Sequence, residues 1–90
     1  MWDSIKKNNA AKIDEIFTSG FPVDSPITDT GLTALAFASS WSNDENIFQT
    51  ILKFSPNVNA QNCQRKTPLH QAALAGNIVA LQILLKQPNI

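Results

Sequence analysis

Only one cysteine, Cys63, is present, so no internal disulfide can form, and a reducing intracellular setting is the natural expectation. Nor is there a surplus of either charge: seven basic residues balance seven acidic ones. A nucleic-acid binder normally carries a clear basic excess, because phosphate neutralisation supplies most of its affinity, and that excess is missing. The first residues, Met1-Trp2-Asp3-Ser4-Ile5-Lys6-Lys7, lack the apolar core of a secretory leader. No apolar run reaches the roughly 20 residues of a membrane helix. The longest candidate, Ile78 to Leu85, is broken by Gln82. The expectation is a soluble protein of the cytoplasm or nucleus that binds neither nucleic acid nor membrane.

Catalytic equipment is equally sparse. Three glycines leave little scope for a phosphate-cradling loop, and neither a Gly-x-Ser-x-Gly elbow nor a His-Glu-x-x-His pair occurs. One cysteine and one histidine, His70, cannot supply the three or four ligands of a zinc site. Asp14-Glu15 and Asp44-Glu45 are adjacent pairs, and neighbours at i and i+1 on a helix point in different directions. They read as a solvated face and a helix N-terminal turn, where negative charge is favourable. No enzyme, metal or cofactor is expected.

What is present is repetition. Hydrophobic residues make up 43% of the 90 and charged residues 16%, which suits one small globular domain. Thr33-Ala34-Leu35-Ala36-Phe37-Ala38 and Thr67-Pro68-Leu69-His70-Gln71-Ala72 share a Thr-x-Leu-x-x-Ala frame, 34 positions apart. Each precedes a helical apolar stripe: Ile47, Phe48, Ile51 and Leu52 after the first, Leu81, Leu84 and Leu85 after the second. Upstream, Ile13, Ile16 and Phe17 form a third such stripe. Steps of three and four residues put each set on one helix face. Between the units, Gly20-Phe21-Pro22-Val23-Asp24 and Ser55-Pro56-Asn57-Val58-Asn59 are turn-rich.

Thr67-Pro68-Leu69-His70-Gln71-Ala72 resembles the Thr-Pro-Leu-His-x-Ala signature of the ankyrin-repeat family, whose period is about 33 residues. Gly76-Asn77 falls at that family's inter-helix turn, and Asn57-Val58-Asn59-Ala60-Gln61-Asn62 is similar to its hairpin entry. The physics agrees. Thr67 can cap a helix that Pro68 begins, and Gly76 can end it in the left-handed conformation. Leu69, Ala72 and Ala73 then form the apolar stripe, matched by Leu35, Ala38 and Ser39 one unit earlier. Ser42-Asn43-Asp44-Glu45 has capping-box spacing ahead of the helix at Ile47.

The expected fold is an all-α solenoid of stacked helix-turn-helix units with short β-hairpin-like fingers. Its units span about 1–22, 23–57 and 58–90, in one domain. Their inner and outer helices fall near 2–7 and 10–19, 34–40 and 45–54, and 68–75 and 78–87. Met1 aligns with Leu35 and Leu69 and is expected in the core, as at a native N-terminus. Ala34 and Ala36 replace the family's Pro and His, the turn after Ser42 and the finger after Val23 are each one residue longer, and Arg65 replaces a glycine. The last outer helix is apolar on nearly every side, which suits one covered by a further repeat, or by a second copy in self-association. Lys86-Gln87-Pro88-Asn89-Ile90 resembles Lys53 to Val58 with one residue missing, so the expectation is the N-terminal part of a longer array.

The resemblance implies a protein–protein interaction module whose partner meets the concave surface of finger tips and inner helices. On the fingers the partner-facing positions would be Thr30, Leu32, Cys63, Gln64 and Lys66; on the inner helices, Phe37, Ser40, Trp41, Gln71, Leu74 and Ala75. Trp41 is either an interface anchor or a cover over the lengthened turn, and Phe37 is the position most open to burial by its neighbours. His70 takes a structural role in this family, and Cys63 reads as a fingertip residue rather than a reactive thiol. Asn59 occupies the hairpin position that asparaginyl hydroxylases modify in some ankyrin-repeat proteins, with aliphatic Ile51 eight residues upstream; the preferred reading is that it stabilises its turn. The alternatives are a structural spacer or oligomerisation segment, and the regulatory N-terminal end of a larger enzyme or channel.

Overall fold

The computed structural model describes residues 2–88. It contains six helices among them: α1 (Trp2–Lys6), α2 (Ala10–Thr18), α3 (Ala34–Trp41), α4 (Glu45–Leu52), α5 (Pro68–Ala75) and α6 (Ile78–Leu85). They alternate between two layers. The inner helices α1, α3 and α5 pack in a row, the outer helices α2, α4 and α6 form a second row, and each inner helix lies against its own outer partner. The core position expected of Met1 lies outside the described residues, as do Asn89 and Ile90 of the expected further finger.

Each helix from α2 onward begins at a residue chosen for its side-chain oxygen. Asn9 accepts from the Lys12 N–H, Thr33 from Ala36, Asp44 from Asn46, Thr67 from His70 and Asn77 from Ala80. Such caps satisfy donors that the first turn leaves open and contribute about 1 kcal/mol each. The expected cap of α4 is corrected. Ser42 does not cap that helix but ends α3 with an extended backbone, φ −123° and ψ 136°. The extra turn residue carries the chain on, so that Asp44 becomes the cap and Glu45 is already the first helical residue, too early to reach back. The Ser42 hydroxyl instead accepts from the Asp44 N–H at 3.2 Å and donates to Asn8 Oδ1 at 2.7 Å, tying two inter-helix turns together. A capping box does form at Thr67, whose N–H donates to His70 Nδ1 at 3.0 Å.

Packing follows from side-chain size. Residues Ala34 to Ser39 of α3 are all buried, because α3 has α1 on one side, α5 on the other and α4 and α6 behind it. Ala34, Ala36, Ala38 and Ser39 let those neighbours come close. The larger core side chains, Ile5, Ile13, Leu35, Ile47, Phe48, Ile51 and Leu84, lie between the layers with no exposed surface. Two members of the expected α5 stripe differ: Leu69 is half-buried against the core and Ala73 is exposed. Among the described elements, α5 has an inner neighbour on one side only, which leaves Ala73 uncovered.

Helix ends also shift. The outer helices stop at Thr18, Leu52 and Leu85, short of the expected ends at 19, 54 and 87. Ser19, Lys53 and Lys86 are the caps there, and each donates its N–H back to carbonyls of the last turn. Phe54, freed from α4, packs its ring 5.2 Å from that of Phe17.

The fingers are hairpin-like without strands among the described residues. One cross-bond closes each: Ile27 N–H to Leu32 O at 2.8 Å, and Asn62 N–H to Lys66 O at 3.0 Å. The turns between pass through left-handed conformations at Gly31, φ 83°, and at Arg65, φ 60°. Cys63 N–H donates to Thr30 O at 3.0 Å and stacks the second finger on the first.

Candidate interaction surface

The proposed contact positions fall at the two finger tips and along the inner helices α3 and α5. At the tips, Thr30, Cys63 and Gln64 are exposed, while Leu32 and Lys66 are half-buried at the finger bases. The bond from Cys63 to Thr30 makes the two tips neighbours. Behind them, the Ser40 hydroxyl donates to Gln71 Oε1 at 3.1 Å, joining α3 to α5, and both residues are half-buried. Leu74 and Ala75 are exposed on α5, Leu74 by 68%.

Phe37 and Trp41 separate. One turn apart on α3, their rings stack at 6.1 Å with an interplanar angle of 29°. Phe37 is only 5% exposed and offers a partner almost no surface, because the close approach of the inner helices covers it. Trp41, the last residue of α3, is 59% exposed. Its ring stacks on that of Phe37 at the end of the helix, and it borders Asn43 of the lengthened turn.

Lys6 was missed in the sequence. Its Nζ lies 4.4 Å from the Trp41 ring centroid and 6.0 Å from that of Phe37, a cation–π contact with an exposed indole. The repeat register contained the signal. The offset that aligns Leu35 with Leu69 also aligns Lys6 with Ser40 and Leu74, two of the expected contact positions. The register was carried back to Met1, but the expected contact positions were taken only from the first finger onward, so Lys6 was passed over.

Beside Trp41 a groove of about 430 Å³ runs between the turn after α3 and the start of α6. Ser40, Trp41, Asn43, Gly76, Asn77 and Ile78 are among its walls, and Ile78 is 66% exposed. Its floor is fixed by Asn77, which holds the end of α3 while capping α6.

The remaining candidates are quickly placed. His70 is spent on the capping box. Asn59 is exposed, and its N–H donates to Asn57 Oδ1 at 3.0 Å in the turn. Ile51 is fully buried, so a modifying enzyme that reads it would meet it only after local opening. On the outer layer, Lys53 Nζ reaches Asp14 Oδ2 at 2.9 Å, bridging α2 to the end of α4. That hydrogen bond holds the Asp14 carboxyl below its ordinary value, with the Lys53 charge and the Thr18 hydroxyl acting the same way and desolvation opposing them. No helix of the described chain is long and apolar enough to cross a membrane.

Comparison with known proteins gives a consistent answer. A family model described as ankyrin repeats, in three copies, matches residues 2–90. Rabankyrin-5 of Mus musculus is 33% identical over 98 residues, and so is Rabankyrin-5 of Homo sapiens. Each match covers 97% of this chain but 8% of the relative, so the chain spans a small fraction of those proteins' length. The solved ankyrin repeat domain of human ASB11 superposes with a TM-score of 0.78 at 18% identity, covering 94% of this chain and 38% of that one. That family model spans almost the whole sequence, and the chain belongs to the ankyrin-repeat family.

Proposed function

We propose that this chain binds a partner protein through the surface formed by its finger tips and inner helices. Ankyrin repeats are in general protein–protein interaction modules rather than enzymes. The observation that carries the finer reading is the exposure of Trp41 and Leu74, 59% and 68%, near the ends of the inner helices α3 and α5. Large apolar side chains held out from a rigid scaffold are the usual anchors of an interface. Thr30, Cys63, Gln64 and Lys66 supply polar contacts from the fingers, Leu32, Ser40, Gln71 and Ala75 line the surface between, and Phe37 supports Trp41 from within. The proposed setting is the cytoplasm or nucleus, in keeping with the unpaired, exposed Cys63.

The test is affinity capture with mass spectrometry, using the wild type, a Trp41→Ala/Lys66→Ala pair, and a Gln49→Ala/Gln82→Ala pair on the outer helices. A partner lost with the first pair and kept with the second supports the reading. A partner lost only with the outer pair overturns it.

A second reading, self-association, rests on a different observation. Ile78 and Leu85, two turns apart on α6, are 66% and 62% exposed. Sedimentation velocity across a concentration series should show a dimer that Leu85→Lys abolishes. A monomer throughout would remove this reading and leave the first untouched.

A further inference from the structure

The two fingers carry opposite charges. Residues 20–32, which include the first finger, contain Asp24 and Asp29 but no Lys or Arg. Residues 54–67, which include the second, contain Arg65 and Lys66 but no Asp or Glu. The fold sets these segments side by side: the Cys63 N–H donates to Thr30 O at the tips, and the Asn57 N–H donates to Asp24 Oδ1 at 2.7 Å where the fingers begin. Asp29 and Arg65 are exposed, and Lys66 is half-buried. Each turn is fixed from within, by Gly31 N–H to Thr28 O at 3.1 Å and by Arg65 N–H to Asn62 O at 2.9 Å. The Asn62 side chain also accepts the Gln64 and Lys66 N–H groups, at 2.9 and 3.0 Å. The ion pairs of the described side chains, Lys12 with Glu15 and Lys53 with Asp14, involve neither finger. At the spacing of packed units, about 10 Å, exposed charges on neighbouring fingers are largely screened from each other, so both signs stay open to a partner.

We propose that the fingers bind a segment of the partner protein that carries both signs, with a Lys or Arg over Asp29 and an Asp or Glu over Arg65 and Lys66. The inference rests on the interaction reading above and adds the charge order of the bound segment. In an extended segment crossing the fingers, at about 3.3 Å per residue, the two charges fall about three residues apart. Charge complementarity decides the occupant: an all-basic segment is repelled at the second finger and an all-acidic one at the first. A second copy of this chain, turned end for end, offers the same charges. Two finger turns meeting tip to tip, however, bury far less than the roughly 1,000 Å² of a stable interface. A partner segment lies along the fingers while the rest of that protein covers Trp41 and Leu74 behind them. The turns are already fixed, so little backbone freedom is lost on binding.

Selection of a random peptide library displayed on phage against the 90-residue chain tests this, with the same selection run on Asp29→Lys and on Arg65→Asp. Both substitutions fall on exposed turn residues, and aspartate tolerates the left-handed conformation at position 65. Peptides from the wild type are expected to share a Lys or Arg and an Asp or Glu about three residues apart. The Asp29→Lys selection should lose the basic preference, and the Arg65→Asp selection the acidic one. In a synthetic wild-type peptide, replacing the basic residue by Gln should weaken binding about threefold at low salt and not at high salt. Against Asp29→Asn the same replacement should cost nothing, because the pair is already broken. Peptides without both charges, a loss that persists against Asp29→Asn, or no enrichment at all would each overturn the proposal. Peptides weakened by Trp41→Ala yet indifferent to both finger substitutions would overturn it while leaving the interaction reading in place. A dimer in sedimentation velocity that Asp29→Lys dissociates would assign the finger charges to a second copy, and would overturn it as well.

Discussion

Asn77 donates through Nδ2 to the carbonyl oxygen of Ser42 at 2.6 Å and to that of Ser39 at 3.0 Å. The same side chain accepts the Ala80 N–H at 3.2 Å. One amide therefore completes the end of α3 and begins α6, joining the second unit to the third. Asn77→Ala removes the cap and leaves two carbonyls short of a donor, and should cost about 2 kcal/mol. Asn77→Asp keeps the accepting oxygen but loses the donor, so it should recover only the capping share, about 1 kcal/mol. Urea titrations of both variants check this order; equal losses would mean that the carbonyl bonds contribute nothing.

Gly31 and Arg65 hold the same place in successive finger turns, and both are left-handed. A Cβ on Gly31 would also lie 3.3 Å from the Cys63 backbone nitrogen, where the fingers stack. Gly31→Ala should therefore destabilise by about 1 kcal/mol or more, through strain and crowding together. Arg65→Gly relieves the same strain while loosening the unfolded chain, and should stay within about 1 kcal/mol of wild type. Thermal unfolding of the two would contradict this account if Arg65→Gly proved the more damaging.

These cases show which features could be read in the sequence and which could not. Thr67, Pro68 and Gly76 announce a helix start and stop because each residue's own geometry determines its place, and the helix lies as expected at Pro68–Ala75. The cap of α4 was misread because both Ser42 and Asp44 are good caps. The choice between them depends on where the longer turn leaves the chain, and a contact with Asn8 from another unit settles that. Burial of Phe37 was among the alternatives the sequence offered, whereas the placement of Lys6 over Trp41 arises from stacking α1 on α3, a relation between residues some 30 positions apart. Arg65 was flagged by the family pattern, which has glycine there, and the turn keeps its left-handed conformation regardless.

The Asp14–Lys53 bridge ties α2 to the end of α4 on the solvent side. The folded-state carboxyl titrates below its ordinary value, so its contribution is complete above the unfolded value and disappears as the pH falls through the folded one. Asp14→Asn should consequently match the wild type in strong acid and fall slightly behind it near neutrality. Both atoms are well exposed, so high salt should shrink the difference. Denaturation midpoints against pH and salt check this; a gap that widens in acid would reverse the sign of the argument.

The central claim, that the finger tips and inner helices form the binding face, is tested most directly by hydrogen exchange of the chain with and without a partner captured by the wild type. The prediction is protection concentrated in 30–41 and 63–75, with exchange unchanged along the solvent side of α2, α4 and α6. Protection confined to those outer helices, with Trp41 and its surroundings unaltered, would contradict it.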